Sequence, residues 1–431
     1  MRRIRLAIAG LILLAGCSGG GGGDPAPVST QSNAPPAQHP PITPPPPPPI
    51  QPDMLTATSQ GLLRGKASGQ GQQLIFSRTN LHQESVFISG AQVYYTREAP
   101  PVFLDFPNKD IWGVRTDGTG DHAVLNTGAH EDLRDANGSV ALYEQTTYTL
   151  PDDVNPVAFG SLRDGAPTLL PIHERFTGYR FMRGDTAYFN NAQHIFSVNV
   201  NGSGLRTYAT VLPTTTLTAS DAFDNTLIYR EFDLGTGRGT LRATPISGGP
   251  FVALDDGQSY VAYVGHVGSR VVSQRCVIDT SEFPPPAGPC DVVSVDANGS
   301  GLAVLASEPV NEAVQAVMGN NVIIRRNLSG NDQLIVVPVS GGPERLLMTM
   351  TDNEFVQLVA GDLLIVRRPS GTWSLDLNSR LTQLGTVPGD SGFVAVGNAV
   401  CLNKALAVWC MPLDGTSQVK IADTGRVVGV L

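Results

Sequence analysis

Apolar residues occupy alternate positions in the segment His194–Val211, HIFSVNVNGSGLRTYATV. Phe196, Val198 and Val200 lead into the pair Asn201-Gly202, whose residues tolerate the positive φ angles of a tight hairpin turn. A second short run of β-forming residues follows the turn. The pattern predicts two antiparallel strands, because period-2 alternation on both sides of an Asn-Gly turn is typical of a β-hairpin.

The same hairpin pattern recurs along the chain at intervals of 36 to 51 residues. The turns are Asp117-Gly118, Asp164-Gly165, Asn201-Gly202, Gly248-Gly249, Asn298-Gly299, Gly341-Gly342, Asn378-Ser379 and Asp414-Gly415. Intervals of this length are typical of four-stranded propeller blades.

A column of bulky residues supports this alignment. The position six residues before the turn is aromatic or aliphatic in seven units and is Arg242 in the remaining one. The seven are Trp112, Phe159, Phe196, Val293, Ile335, Trp373 and Trp409. Such a column is expected to pack between neighbouring blades, whereas Arg242 would either extend past its neighbours or mark a blade that opens to a ligand.

Each hairpin is preceded by another pair of apolar runs, as in VQLVAGDLLIVRR. Four strands per unit predict an all-β fold, a β-propeller of eight blades. Seven blades is the alternative if the divergent unit at residues 137–170 is an insertion. Either GRVVGVL at residues 425–431 or QQLIFSRT at residues 72–79 is expected to complete a blade begun at the other terminus.

The N-terminus predicts export and lipidation. Three arginines precede the apolar run LAIAGLILL, and Leu14-Ala15-Gly16-Cys17 resembles the lipobox of bacterial lipoproteins. An ordinary secretory signal with a chance cysteine is the alternative. Residues 1–16 are expected to form the signal peptide, and Cys17 is expected to carry the lipid. In enterobacterial-type lipoproteins a residue other than aspartate after the lipidated cysteine implies sorting to the outer membrane, and by analogy Ser18 leads us to expect that location.

Residues 17–58 are expected to form a disordered tether, and residues 59–431 the propeller. The tether contains a pentaglycine and an unbroken run of prolines at Pro44–Pro49. Such a composition cannot bury a core, so it is expected to act as a flexible spacer.

Four cysteines remain after Cys17, and an even number in an exported protein suggests disulfides. Three pairings are possible. Sequence proximity and the placement of the cysteines within repeats favour Cys276–Cys290 and Cys401–Cys410, each joining adjacent strands of one blade. Four free buried thiols are the alternative.

The composition restricts the partners. The formal net charge is −9, and no basic stripe is present, so binding to nucleic acid is not expected. Only 16% of the residues are charged, which agrees with a β-rich protein outside the cytoplasm.

The units DIWGVRTDGTGDHAVL, HIFSVNVNGSGLRTYA and CDVVSVDANGSGLAVL resemble the WD-like propeller repeats of TolB and related periplasmic proteins. The resemblance covers residues 85–424 and implies the propeller fold. The Trp-Ser-Pro-Asp-Gly signature of those repeats is missing here, and their Leu-Thr ending is mostly lost.

No catalytic residue, metal site or cofactor is predicted. Gly389-Asp390-Ser391-Gly392 is similar to a serine-protease nucleophile segment, but no partner histidine accompanies it and a turn is the expected structure. His130-Glu131-Asp132 and Asp121-His122 lack the spacing of a metal site. Several further aspartates could bind calcium in loops, although aspartate beside glycine is common in turns: Asp117, Asp152, Asp153, Asp255 and Asp256.

The sequence therefore favours a non-enzymatic lipoprotein in the bacterial cell envelope. The lipid would hold the protein at a membrane, with the propeller in the periplasm or at the cell surface. There the propeller would bind an envelope protein. The alternative is a carbohydrate-active or quinone-dependent enzyme with its site at the propeller channel.

Overall fold

The computed structural model describes residues 52–100, 108–148, 156–172, 177–212, 214–257, 259–278, 287–328, 331–351, 353–386 and 391–431. The signal peptide, Cys17 and most of the expected tether lie outside these residues, as do Asp152, Asp153, Gly389 and Asp390.

The described chain forms nine four-stranded antiparallel sheets. Blade 1 contains β1 (Asp53–Thr58), β2 (Gly61–Lys66), β3 (Gln73–Ser77) and, from the other end of the chain, β36 (Gly425–Val430). A 3₁₀ turn, Leu81–Gln83, connects it to blade 2, which contains β4 (Val86–Ser89), β5 (Gln92–Ala99), β6 (Asn108–Arg115) and β7 (His122–Leu125). Blade 3 contains β8 (His130–Asn137), β9 (Val140–Thr146), β10 (Val157–Arg163) and β11 (Ala166–Leu169).

The remaining six blades follow in chain order. Blade 4 contains β12 (Gly178–Arg183), β13 (Thr186–Asn190), β14 (His194–Asn199) and β15 (Arg206–Thr210). Blade 5 contains β16 (Thr215–Phe223), β17 (Thr226–Asp233), β18 (Gly239–Pro245) and β19 (Val252–Ala253). Blade 6 contains β20 (Tyr260–Val267), β21 (Arg270–Ile278), β22 (Ala287–Asp296) and β23 (Ala303–Ala306).

Blade 7 contains β24 (Glu312–Met318), β25 (Asn321–Arg326), β26 (Asp332–Pro338) and β27 (Arg345–Met350). Blade 8 contains β28 (Phe355–Ala360), β29 (Leu363–Arg368), β30 (Gly371–Asp376) and β31 (Leu381–Gly385). Blade 9 contains β32 (Ser391–Val396), β33 (Ala399–Lys404), β34 (Ala407–Pro412) and β35 (Val419–Ala422).

The prediction of a propeller with four-stranded blades is confirmed, but the prediction of eight blades, or seven, is wrong. The blade that the turn alignment omits is blade 1, which has its turn between third and fourth strands at Ser68-Gly69, and Leu63 lies six residues before Gly69, as in the other units. It was missed because no first strand precedes it in the sequence. The divergent unit at residues 137–170 is no insertion, since its strands belong to a regular sheet, blade 3.

The ring closes through β36, which pairs with β1 from Met54↔Val430 to Thr58↔Gly425. The expected closing segment at residues 425–431 therefore supplies the first strand of blade 1, and β3 supplies its fourth strand. Because β1 begins at Asp53, the first sheet includes residues 53–58, which the sequence places in the tether.

Apolar side chains on both faces of each sheet pack against the neighbouring blades. Val272 and Val292 of blade 6, for example, share one buried cluster with Ile324 and Ile335 of blade 7. This packing explains the bulky column, whose residues all lie on the third strands. Burying these apolar side chains between sheets is the main source of stability in such a fold.

Phe159 departs from the column. The other six members lie opposite the fourth residue of the second strand, as Trp112 lies opposite Tyr95. In blade 3 Gly160 takes that place opposite Tyr143, and a Cβ atom there would lie only 2.1 Å from the Tyr143 ring. The two-residue turn Asp164-Gly165 shortens this hairpin, so the six-residue offset selects the wrong face of the strand.

Both favoured disulfides are present, Cys276–Cys290 and Cys401–Cys410. Each joins directly paired residues on the second and third strands of one blade. The Cα atoms are 4.0 Å apart in both pairs, so a disulfide can bridge the two strands within each blade.

Candidate functional site: the channel wall

First strands of neighbouring blades contact one another around most of the ring, so they line the central channel. Each blade has a turn side, which holds the turns between its first and second and its third and fourth strands. The opposite, loop side holds the connections between second and third strands and the links between blades.

The channel wall is chemically asymmetric. In the first strands of blades 7, 8, 9, 1 and 2, only Glu312 and Arg426 are charged. The first strands of blades 3 to 6, here called the polar wall, carry seven charged residues and two histidines. These are Glu131, Asp132, Arg134, Asp135, Arg180, Arg183 and Asp221, with His130 and His266.

Asp221 is the centre of a hydrogen-bonded network that crosses three blades. Arg183 of blade 4 donates from Nε and Nη2 to Asp221 Oδ1, at 3.1 and 2.6 Å. Tyr263 of blade 6 donates its hydroxyl to Oδ2 at 2.6 Å, and the backbone N–H of Ala222 donates to Oδ1 at 2.8 Å. The Asp221 side chain is 11% exposed and that of Arg183 is 56% exposed, so the network has an exposed cation at the turn-side end of the polar wall.

Blade 3 repeats this arrangement with Asp135, which accepts the hydroxyl of Tyr179 from blade 4. Both aspartates directly follow a bulge in the pairing of the first strand with the second. Burial, and then hydrogen bonding to the aspartates, raises the pKa of Tyr179 and Tyr263. Both tyrosines therefore stay protonated and act as hydrogen-bond donors.

His266 lies at the edge of the network. Its ring stacks on Phe223 with 3.9 Å between ring centroids and 10° between the planes, and its Nε2 atom lies 4.0 Å from Asp221 Oδ2. The network therefore combines an exposed cation with an aromatic surface, and such a combination suits ligand binding.

Sequence reasoning missed Asp135, Arg183 and Asp221. The available signal was an aspartate followed by alanine in the first strands of blades 3 and 5, LRDAN and ASDAF, where other blades have apolar residues or glycine. The described residues considered as metal ligands from the sequence do not come together in the structure. Asp121 and His122 lie beside the outer turn of blade 2, whereas Glu131 lies near the loop-side end of β8.

Asp121 accepts a hydrogen bond from the Tyr95 hydroxyl at 2.5 Å. Asp117 accepts from Thr119, and Asp255 accepts from the backbone of Leu241 and Gly257. These contacts agree with turn and backbone roles. Among the residues that the structure describes, no group of three or more His, Cys, Asp or Glu side chains could hold a metal ion.

Arg242 does not mark an open blade. Its Nε atom lies 2.5 Å from Glu231 Oε2, its guanidinium carbon lies 4.0 Å from the centroid of the Phe251 ring, and its side chain is only 18% exposed. The arginine therefore fills the column position by combining an ion pair with a ring contact.

A cleft of about 380 Å³ opens between blades 5 and 6 on the turn side. Its lining includes Pro245, Pro250 and Val252, together with Asp296. Arg270 lies 3.4 Å from the Asp296 carboxylate. Because its one charged lining side chain already has a partner, the cleft is a weaker candidate than the polar wall.

Glu131 of the polar wall has a buried carboxyl group whose ionisation affects the stability of the fold. It is fully buried, and its Oε1 atom accepts from Thr127 Oγ1 and, at 3.3 Å, from Gln145 Nε2. Burial raises the pKa of Glu131 above the unfolded value of 4.5, so its protonated form stabilises the fold below that value. This stability is lost as pH rises through the folded-state pKa.

We therefore expect Glu131→Gln to unfold at higher urea concentration than the native protein at about pH 7. The difference should disappear near pH 4, where the native glutamate is protonated too. Urea unfolding at both pH values measures it, with the exposed Glu98→Gln as control. A loss of stability at neutral pH would show that the charged carboxylate is well solvated.

Comparisons with known proteins identify the fold alone. No family model matches the sequence, and no curated protein matches it. Among solved structures, dipeptidyl peptidase 4 of Porphyromonas gingivalis has a TM-score of 0.51 at 10% identity, over 81% of this chain and 59% of that one. An oligogalacturonate lyase in complex with manganese has a TM-score of 0.43 at 10% identity, over 76% and 98%.

A prolyl endopeptidase has a TM-score of 0.42 at 14% identity and covers 76% of this chain. The chain spans about half (53%) of that peptidase's length. At 10% identity the likeness to the dipeptidyl peptidase shows a shared fold alone, so the activity of that enzyme does not transfer to this chain.

Proposed function

We propose that the protein is a non-enzymatic binding module of the bacterial cell envelope, anchored by a lipid on Cys17. The polar wall of its channel is the binding surface. The observation that carries the proposal is the concentration of seven charged side chains on the adjacent first strands of blades 3, 4 and 5, with Arg183 exposed beside Asp221. A rigid ring holds such groups in place, which limits the entropy lost on binding.

The first and last described strands meet on the turn side of blade 1. The N–H of Leu431 donates to the carbonyl of Asp53 at 2.8 Å, so the chain enters and leaves the propeller at one place on the turn side. The loop-side mouth of the channel opens on the opposite side. Among the described residues no helix is long and apolar enough to cross a membrane.

Photo-crosslinking in intact cells tests the binding function. A benzophenone amino acid replaces Ser220, the bulge residue beside Asp221. The matched control carries it at Leu205, which is 52% exposed next to the outer turn of blade 4. We expect a discrete crosslinked product from position 220 that Arg183→Ala weakens. The same mixture of abundant proteins from both positions would contradict the proposal.

Membrane fractionation tests the anchor separately. Cys17→Ser is expected to release the protein from the membrane fraction, because the lipid would be its attachment. We propose the outer membrane as the site of attachment, with the propeller in the periplasm or at the cell surface. Continued membrane association of the Cys17→Ser variant would overturn the lipoprotein assignment.

A further inference from the structure

The cleft between blades 5 and 6 is formed by residues at the turns of both blades. Its volume of about 380 Å³ falls in the range of sites that bind small ligands. One wall is apolar and comes from blade 5, and the other is polar and comes from blade 6. The apolar wall includes Pro245, Pro250 and Val252, and the polar wall of the cleft includes Ser269, Asp296 and Asn298.

The carboxylate of Asp296 keeps unused capacity to accept hydrogen bonds. Arg270 donates from Nη1 to its Oδ2 atom at 3.4 Å, and Ser269 donates its hydroxyl to Oδ1, also at 3.4 Å. Both contacts are long, whereas a carboxylate offers about four acceptor positions. The Asp296 side chain is 28% exposed, so a ligand in the cleft can donate hydrogen bonds to it.

The counter-charge of Asp296 is fixed in place. Arg270 also donates from Nε to the carbonyl of Val339 at 3.2 Å, and from Nη2 to Ser294 Oγ at 3.0 Å and to the carbonyl of Gly301 at 2.7 Å. Gly301 has a φ of +65°, and a Cβ atom there would lie 2.8 Å from Asp296 Oδ2. The cleft therefore contains a positioned acceptor whose charge is already balanced, which favours a neutral ligand with hydroxyl groups.

The turn of blade 6 does not need the Asp296 carboxylate. In blade 8 the equivalent residue is Asp376, and its Oδ1 atom accepts two backbone N–H groups of its own turn, both at 2.8 Å. In blade 6 Asn298 has this role, because its Oδ1 atom accepts the N–H and the hydroxyl of Ser300 at 2.9 and 2.7 Å. Asp296 differs from Asp376 in facing the cleft with its carboxylate free of the turn.

An exposed aromatic ring lies at the rim of the cleft. Phe251 stands between the lining residues Pro250 and Val252 and is 53% exposed. The guanidinium carbon of Arg242 lies 4.0 Å from the centroid of this ring and covers one of its faces. The ring therefore adds a positioned apolar surface beside the hydrogen-bonding groups of the cleft.

We propose that this cleft binds a neutral hexose unit of a saccharide. Two adjacent hydroxyls of the sugar donate to the two oxygens of Asp296, and the Asn298 amide donates to a third hydroxyl. The C–H face of the sugar ring lies against the proline wall and Phe251. A peptide offers one backbone N–H per residue, so it matches the carboxylate less well than adjacent hydroxyls do. The site lies on the turn side and is independent of the proposed function of the polar wall.

Isothermal titration tests the site on the full-length protein, solubilised in a detergent that has no sugar headgroup. The probes are glucose, galactose, mannose and N-acetylglucosamine, with the dipeptide Gly-Pro as the alternative occupant. We expect at least one sugar to bind saturably, with a Kd of about 1 mM or tighter, and the dipeptide not to bind. Saturable binding of the dipeptide alone, or of no sugar, would overturn the proposal.

Variants locate the binding. Asp296→Asn is expected to weaken sugar binding about tenfold, because the amide has only one acceptor oxygen and no charge. Phe251→Ala should also weaken it, since the ring is lost from the rim. Asp376→Asn is the matched control, the same substitution at the equivalent turn of blade 8, and should leave binding unchanged. Melting curves confirm that each variant folds. Equal loss in Asp296→Asn and Asp376→Asn, or no loss in Asp296→Asn, would show that the sugar binds elsewhere.

Discussion

Deletion of residues 425–431 is expected to abolish closure of the ring and most of its cooperative stability. β36 is the first strand of blade 1, and without it β1 loses five paired positions, from Met54 to Thr58. Buried Leu55 and Ala57 would lose a neighbouring strand, and the inner edge of β1 would expose unpaired backbone groups. We expect the melting temperature to fall by ~10 °C or more, or the protein to aggregate.

Thermal unfolding followed by circular dichroism measures this effect. Deletion of Leu431 alone is the control, because that residue lies beyond β36 and is 40% exposed. Adding the peptide GRVVGVL to the shortened protein should partly restore the transition if the missing strand is the cause. An unchanged melting temperature after the longer deletion would mean that the pairing of β36 with β1 contributes nothing to stability.

Arg326→Ala is expected to be among the most damaging single substitutions. Arg326 donates from Nε to Glu312 Oε1 at 2.7 Å and binds both carboxylate oxygens of Glu344, at 2.9 and 2.7 Å. Glu312 is fully buried, and the Arg326 side chain is 8% exposed. Removal of the arginine would leave a buried carboxylate without its counter-charge, which costs roughly 3–5 kcal/mol of unfolding free energy.

Urea unfolding at several pH values tests the cause of this loss. Burial already raises the pKa of Glu312 above 4.5, and loss of the arginine would raise it further. The folded variant would then bind its proton more tightly than the unfolded chain does. Its stability should therefore increase as pH falls, and the deficit should shrink toward pH 4.

Arg64→Ala is the matched control for Arg326→Ala. Arg64 also pairs with a carboxylate, that of Asp53 at 2.8 Å, but the two side chains are 41% and 31% exposed. Water solvates both groups after the pair is broken, so we expect a loss of no more than about 1 kcal/mol. Equal losses in the two variants would show that burial of Glu312 does not set the cost.

Local sequence patterns predicted the propeller because its hairpins are local structures. The Gly-containing turns, the alternating strands and the bulky column each depend on residues a few positions apart. The disulfides were predictable for the same reason, since Cys276–Cys290 and Cys401–Cys410 join adjacent strands within a blade. The turn alignment failed at Phe159, because a two-residue turn changes the register by one position.

The number of blades and the polar wall depend on contacts that no local pattern records. Blade 1 combines residues 53–77 with residues 425–430, so its first strand is the last strand of the chain. Asp221 meets Arg183 and Tyr263 from the two neighbouring blades, about forty residues away on either side. The sequence by itself determined the repeated hairpin, since its turns and alternation are local. Only the tertiary structure decided that the ring has nine blades and which side chains line the channel, because closure of the ring brings distant strands side by side.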